Sequence, residues 1–234
     1  MNSSQYNKVK PFLPQQKFPR LDTLISSFKS HGMKDDTLNL YQHVASICTN
    51  DSREDVLLAI DELKKPLLQA KQRDHETYRM LKILEYVVEG LEGFDDHESE
   101  STSYRRFATI MDCLFRGTQV KCVDGEFTSD ATKAIRMYNE AILNITSADA
   151  KGKKIDLLIK YASSQGVEIS SNEFKAPHPT PSVALQQQCK NLRSNAAIFN
   201  YIRSLDPRKP FTHVAAMDWL GSVGYLYLIP HDGH

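Results

Sequence analysis

Basic side chains supply the most suggestive chemistry in this sequence, because they gather at three places along the chain. Arg105 and Arg106 are adjacent, Lys133 and Arg136 lie three residues apart, and a further lysine group follows downstream. That group consists of Lys151, Lys153 and Lys154. Lysine and arginine bind phosphate and carboxylate groups through charge-assisted hydrogen bonds. If the helices that carry them pack side by side, these residues form one candidate surface for an anionic ligand or membrane.

The same residues also fit an ordinary solvated surface. The lysines at 151–154 follow the predicted end of a helix, where cations interact favourably with the helix dipole without any ligand. Aromatic residues do not alternate with the basic ones, which argues against stacking of single-stranded bases. The pattern therefore leaves a solvated face and a face for phosphate or lipid headgroups as equal alternatives.

No familiar catalytic or metal-binding motif occurs in the sequence. The P-loop, dinucleotide-binding, nucleophile-elbow and H-E-x-x-H patterns are all absent. The four cysteines are widely spread and form no C-x-x-C pair, so we expect reduced thiols. The acidic residues at 95–100 lack the alternating ligands of a calcium loop. These observations predict a non-enzymatic protein with no cofactor, no metal and no catalytic residues.

The bulk composition allows a globular protein without specifying its function. The 234 residues are 41% hydrophobic and 25% charged, which suits one large domain or two small ones. Lys plus Arg and Asp plus Glu both number 29, and this zero net charge argues against a dedicated nucleic-acid binder. No apolar run approaches the roughly 18 residues of a membrane span, so any membrane contact is expected to be peripheral.

Helical periodicity runs through most of the chain and would position the basic side chains. Ala131, Ile135, Tyr138 and Ile142, for example, form one apolar stripe. We predict an all-α fold of two stacked helical bundles with a looser C-terminal region. The predicted segments are a basic proline-containing arm (1–20), an N-terminal helical bundle (21–94), an acidic linker (95–102), a second helical bundle (103–172), and a C-terminal helix with an irregular tail (173–234). Within that tail, the stretch 219–229 is expected to be β-like or irregular.

Two predictions concern the end of the second bundle. A seventh helix is expected over about 153–164. The stretch 170–182 contains three prolines among polar residues, so it is expected to be a linker or a long surface loop.

The order of several short segments resembles the matrix protein of orthomyxoviruses, the influenza-type family. The segments are Arg105-Arg106-Phe107, then Lys133-Ala-Ile-Arg-Met-Tyr138, then Ile145-Thr146 and Ala150-Lys151, with similar upstream helices at 44–68 and 82–88. The family's closely spaced basic run would fall at 139–143, which is not basic here, and its zinc-like motif has no counterpart. The chain therefore looks like a divergent member, thogotovirus-like or another relative outside influenza A.

This resemblance implies a viral structural protein that lines the inner face of the envelope. Such a protein would polymerise with copies of itself and bridge an anionic membrane to the viral ribonucleoprotein or RNA. It would be found in the virion, at the inner face of the envelope, and in the host cytoplasm and plasma membrane. A nuclear location is an open alternative. By position, Arg105, Arg106, Lys133, Arg136 and Lys151 correspond to the family's positively charged face.

Two further classes of protein stay open. A helical adaptor without a membrane role would form a discrete monomer or dimer, and its behaviour would not depend on lipid. A module that binds RNA or nucleoprotein would use the same basic face and would associate in a salt-sensitive manner.

Overall fold

The computed structural model describes residues 34–49, 51–90, 95, 97–124, 127–144, 152–161, 166–207 and 211–230. The predicted arm at 1–20 and residue Lys151 lie outside these ranges. The chain divides into two compact units, Met1–Glu89 and Gly90–His234.

The described part of the first unit is helical, in line with its periodicity. Its helices are α1 (Asp35–Ile47), α2 (Arg53–Gln69) and α3 (Glu76–Gly90). Ser52 caps α2, since its side chain accepts a hydrogen bond from the Asp55 backbone N–H. The helices bury one apolar cluster, which consists of Val44, Val56, Ile60, Met80, Leu81 and Val88.

Truncation of Ile60 should destabilise the first unit strongly. Ile60 is fully buried in this cluster, and replacement by alanine is expected to cost about 2–5 kcal/mol. Leu58 is the matched control on the same helix, because its side chain is 60% exposed and its truncation should have little effect. Urea titration followed by circular dichroism measures both changes. Equal effects of the two substitutions would contradict the assigned core.

The second unit combines helices with a mixed β-sheet. Its elements are α4 (Glu100–Leu114), β1 (Val120–Asp124), α5 (Asp130–Ile142), β2 (Leu157–Tyr161), β3 (Val167–Lys175), α6 (Pro181–Leu205), β4 (His213–Leu220) and β5 (Val223–Pro230). The strands lie in sequence order, β1-β2-β3-β4-β5. All neighbouring pairs are antiparallel except β3 and β4, which are parallel and are joined through α6.

Helices cover both faces of this sheet. On one face, Phe107 and Met111 of α4 pack with Leu157, Ile159 and Phe174. On the other face, the cluster combines α6 with the sheet and with the start of α5; it contains Ala131, Ile155, Leu158, Ile198, Phe199 and Val214. Although α6 has 25 residues, no helix in the described ranges is long and apolar enough to cross a bilayer.

The predicted all-α fold is therefore wrong. The helix expected at 153–164 contains β2, and the linker expected at 170–182 begins inside β3. Strand β2 reads Leu157-Leu158-Ile159, and all three side chains are buried because the sheet is covered on both faces. A strand of this kind shows no alternation of polar and apolar residues, so its periodicity does not separate it from a short helix.

Of the two alternatives for the tail, β-like or irregular, the structure has the first, since β4 and β5 form a regular antiparallel ladder there. Strand β3 was hidden for a different reason: several of its buried residues are polar. Asn195 of α6 both accepts from the Ser171 N–H and donates to the Ser171 carbonyl, at 2.8 and 2.7 Å. Because buried polar groups are stable when hydrogen-bonded, this side chain allows a polar strand to lie in the core.

Candidate functional site

Two carboxylates meet where β2 begins and β3 ends. Leu157 pairs with Asn172 in the antiparallel ladder, so Asp156 lies opposite Glu173. The Asp156 Oδ2 atom accepts a hydrogen bond of 2.9 Å from the Phe174 N–H, which fixes the position of its side chain. The strand register thus brings together two acids that are distant in sequence.

Glu173 has an unusual environment for a charged group. Its side chain is 1% exposed, and one oxygen, Oε2, lies 2.6 Å from the ammonium of Lys190 on α6. The other oxygen, Oε1, is buried and has no hydrogen-bond partner. The pKa of Glu173 is raised to about 7, because burial and the nearby charge of Asp156 outweigh the opposing effect of the Lys190 ion pair.

Lys175 is the last residue of β3, two positions after Glu173. Residues 173 and 175 share one face of the strand, whereas Phe174 points to the other face and packs 5.0 Å from the ring of Tyr104. The Lys175 ammonium donates to the Phe174 carbonyl at 2.7 Å and to Glu100 Oε2 at 3.0 Å. The Lys175 ammonium thus joins the end of β3 to the start of α4, within range of the Glu173 charge.

Helix α6 is anchored to this part of the sheet by side-chain amides. The Gln187 amide donates to the Glu173 and Trp219 carbonyls at 3.1 and 3.3 Å, and its own Oε1 atom is buried without a partner. The Asn191 amide donates to the Met217 carbonyl at 2.9 Å and to Asp218 at 3.0 Å. These bonds fix the helix backbone on both sides of Lys190.

A third carboxylate, Asp218, lies beside Glu173 in the parallel pair of β3 and β4. Its oxygens accept hydrogen bonds from the Tyr227 hydroxyl at 2.8 Å and from the Asn191 amide. Burial raises the pKa of Asp218. Because both of its oxygens are hydrogen-bonded within the sheet and α6, we assign Asp218 a positioning role.

Lys153 lies within electrostatic range of several charged groups of this region. The charges of Arg193, Lys190 and Glu173 all act on its ammonium. Partial burial lowers the pKa of Lys153, and the two neighbouring cations lower it further. An anionic ligand close to Lys153 would relieve this repulsion.

The structure separates the basic residues that the sequence analysis grouped. Arg105 is exposed on α4, and its neighbour Arg106 forms an ion pair of 2.7 Å with Glu98. On α5, Lys133 is exposed and Arg136 pairs with Glu140 at 2.8 Å. Lys153 and Lys154 lie between α5 and β2, both exposed, and of the predicted residues Lys153 is the one that the structure places near Glu173.

Asp156, Glu173 and the Phe174 carbonyl offer the oxygen ligands that a hard divalent cation prefers. Among the described residues, no group of three or more His, Cys, Asp and Glu side chains is arranged to hold a metal. Mg²⁺, however, is usually bound through one or two carboxylates together with water and substrate phosphates. The unpartnered Glu173 oxygen fits such an ion, because a buried carboxylate oxygen without a donor is otherwise costly.

Sequence reasoning missed this site completely. A useful signal is present nonetheless: Asp156 begins a short apolar run, and Glu173-Phe174-Lys175 ends a second run, 167–175, whose first residues Val167, Glu168 and Ile169 alternate between apolar and polar. Had both runs been interpreted as neighbouring antiparallel strands, their acids would have been expected at the same edge of a sheet.

Comparison with known proteins supplies no functional residue by analogy. A scan against protein-family models and searches of curated proteins and of solved structures found no match to this chain. Function is therefore inferred from the geometry of the site itself.

Proposed function

We propose that this protein is a divalent-cation-dependent phosphodiesterase that hydrolyses nucleic acid. The observation that carries the proposal is the buried Glu173 carboxylate, which keeps one oxygen unpartnered beside Asp156 and Lys175. Two acids and a lysine at one strand end are suited to metal-assisted transfer of a phosphoryl group to water.

Each group has a distinct part in this reaction. Asp156, Glu173 and the Phe174 carbonyl would hold the cation, which when bound lowers the pKa of water and offsets charge on the phosphate. Lys175 stabilises the negative charge that grows on the phosphoryl oxygens as water attacks phosphorus. The attacking water forms a bond to phosphorus and gives up a proton to solvent. The bond between phosphorus and the leaving oxygen breaks, and that oxygen takes a proton from solvent, so the products are a phosphomonoester and an alcohol.

The charge around the site favours a polyanion as substrate. Lys190 pairs with Glu173, and the charges of Lys190 and Arg193 act on Lys153, so a phosphate backbone that reaches the acids would meet several cations. A neutral or cationic substrate would gain nothing from these three groups. The sequence analysis predicted a non-enzymatic protein with an RNA-binding module as one alternative; the site leads us to propose an enzyme that acts on such a ligand.

The direct test is a cleavage assay with the purified full chain. End-labelled single-stranded and duplex DNA and RNA are incubated with Mg²⁺, with Mn²⁺, and with EDTA. We expect cleavage of at least one substrate with a cation and none with EDTA. Binding without cleavage under every cation would favour the nucleic-acid-binding alternative, and neither binding nor cleavage would contradict both.

The matrix role inferred from the sequence resemblance stays a prediction, together with self-assembly, an anionic membrane partner and a virion location. The all-α fold that was predicted alongside it is contradicted by the five-stranded sheet. Co-sedimentation with anionic and neutral liposomes tests the membrane role separately from cleavage. Strong dependence on anionic lipid, without any nuclease activity, would favour the matrix role over our proposal.

A further inference from the structure

Lys190 occupies an unusual place for a surface lysine. Its side chain is 39% exposed, yet its ammonium reaches a carboxylate that is 1% exposed. The pair joins the outside of α6 to the buried end of β3 at a distance of 2.6 Å. Lys190 therefore offsets the charge on Glu173, and its own side chain remains partly exposed to solvent.

Only the side chain of Lys190 is free to move. Gln187 and Asn191 lie one turn before it and one residue after it, and both bond to backbone carbonyls of the sheet. The helix thus remains in place while the flexible four-carbon stem of lysine can take other rotamers. A change at Glu173 can redirect the ammonium without disturbing the fold.

A divalent cation at Glu173 would create such a change. It would place two positive charges beside the Lys190 ammonium, and like charges a few ångströms apart repel strongly away from bulk water. Lys153, whose ammonium interacts with the Glu173 charge, adds to the repulsion. The ammonium would then be stabilised best by a phosphate of the substrate.

We propose that Lys190 is an exchangeable counter-ion: it neutralises Glu173 in the cation-free protein and turns to a substrate phosphate when a divalent cation binds. This inference rests on the proposed function. It adds a coupling between the binding of the cation and the binding of nucleic acid. Cation and nucleic acid should each increase the affinity for the other, since the coupling of two binding sites is reciprocal.

The test compares Mn²⁺ binding by the wild type, Lys190→Gln and Arg193→Gln, measured by electron paramagnetic resonance of the free ion. Arg193→Gln is the matched control, because it removes a nearby charge from the same helix without removing the Glu173 ion pair. Without nucleic acid, we expect Lys190→Gln to bind Mn²⁺ about tenfold more tightly than wild type, and Arg193→Gln to change the affinity far less.

The second measurement is the affinity for a short fluorescein-labelled DNA duplex, with and without Ca²⁺. Ca²⁺ should increase the affinity of the wild type for the duplex about tenfold. It should increase the affinity of Lys190→Gln far less. Unchanged or weaker Mn²⁺ binding by Lys190→Gln would overturn this inference while leaving the cation site intact. Absence of Mn²⁺ binding by the wild type would instead overturn the proposed function as well.

Discussion

Replacement of Glu173 by glutamine is expected to reduce cation-dependent cleavage by at least about a hundredfold. Groups that only support a metal ligand already change activity by about 10- to 100-fold, so loss of a ligand should exceed that range. Asp156→Asn should have a similar effect, although asparagine retains an oxygen to accept the Phe174 N–H. Initial cleavage rates at saturating Mg²⁺ measure both changes.

The same Glu173→Gln substitution should leave the fold intact. The buried charge is unfavourable, in line with the raised pKa of about 7, and the remaining partner, Lys190, is 39% exposed, so its ammonium can turn to water when residue 173 is neutral. Glu140→Gln is the control for activity, since Glu140 lies on α5 in an ion pair with Arg136. Wild-type cleavage by Glu173→Gln would contradict the assignment, and loss of folding in that variant would point to a structural role.

Replacement of Glu168 by alanine is expected to destabilise the second unit by about 3–5 kcal/mol. Glu168 is 1% exposed on β3 and accepts hydrogen bonds at the start of α5. Its donors are the Ser129 hydroxyl at 2.7 Å, the Asp130 N–H at 2.7 Å and the Ala131 N–H at 3.2 Å. Its negative charge also interacts favourably with the positive end of the helix dipole. The truncation therefore removes three hydrogen bonds and this charge–dipole interaction together.

Trp219 gives a direct readout of this change. It is the single tryptophan of the chain and lies in β4, so its fluorescence follows unfolding of the sheet. Glu140→Gln again serves as control, because it breaks only an i,i+4 ion pair of α5, worth about 0.5 kcal/mol or less. If Glu168→Ala lowers the free energy of unfolding no more than this control does, the buried carboxylate does not hold α5 to the sheet.

The helices of the first unit could be predicted from sequence because each has one buried face. Val56 and Ile60 of α2, for instance, recur at helical spacing and are both buried. The sheet could not be predicted in this way. Its strand β2 is apolar on both faces, and the buried residues of β3 include Ser171, Asn172 and Glu173, whose polarity is typical of exposed loops.

The candidate site was hidden because it depends on register. Asp156 and Glu173 become neighbours only when Leu157 pairs with Asn172, and the sequence alone does not state which strands pair. Similarly, basic residues were visible in the sequence but their partners were not. Arg106 and Arg136 were assigned to an anion-binding face, whereas the structure pairs them with Glu98 and Glu140.

The most direct test of the central claim is to locate a cation in the crystal. Crystals of the full chain grown with Mn²⁺ would be measured at a wavelength where manganese scatters anomalously. We expect an anomalous peak beside the Asp156 and Glu173 carboxylates, with the Lys190 ammonium turned away from Glu173. No peak at these two acids at saturating Mn²⁺, with the Lys190–Glu173 pair unchanged, would contradict the claim.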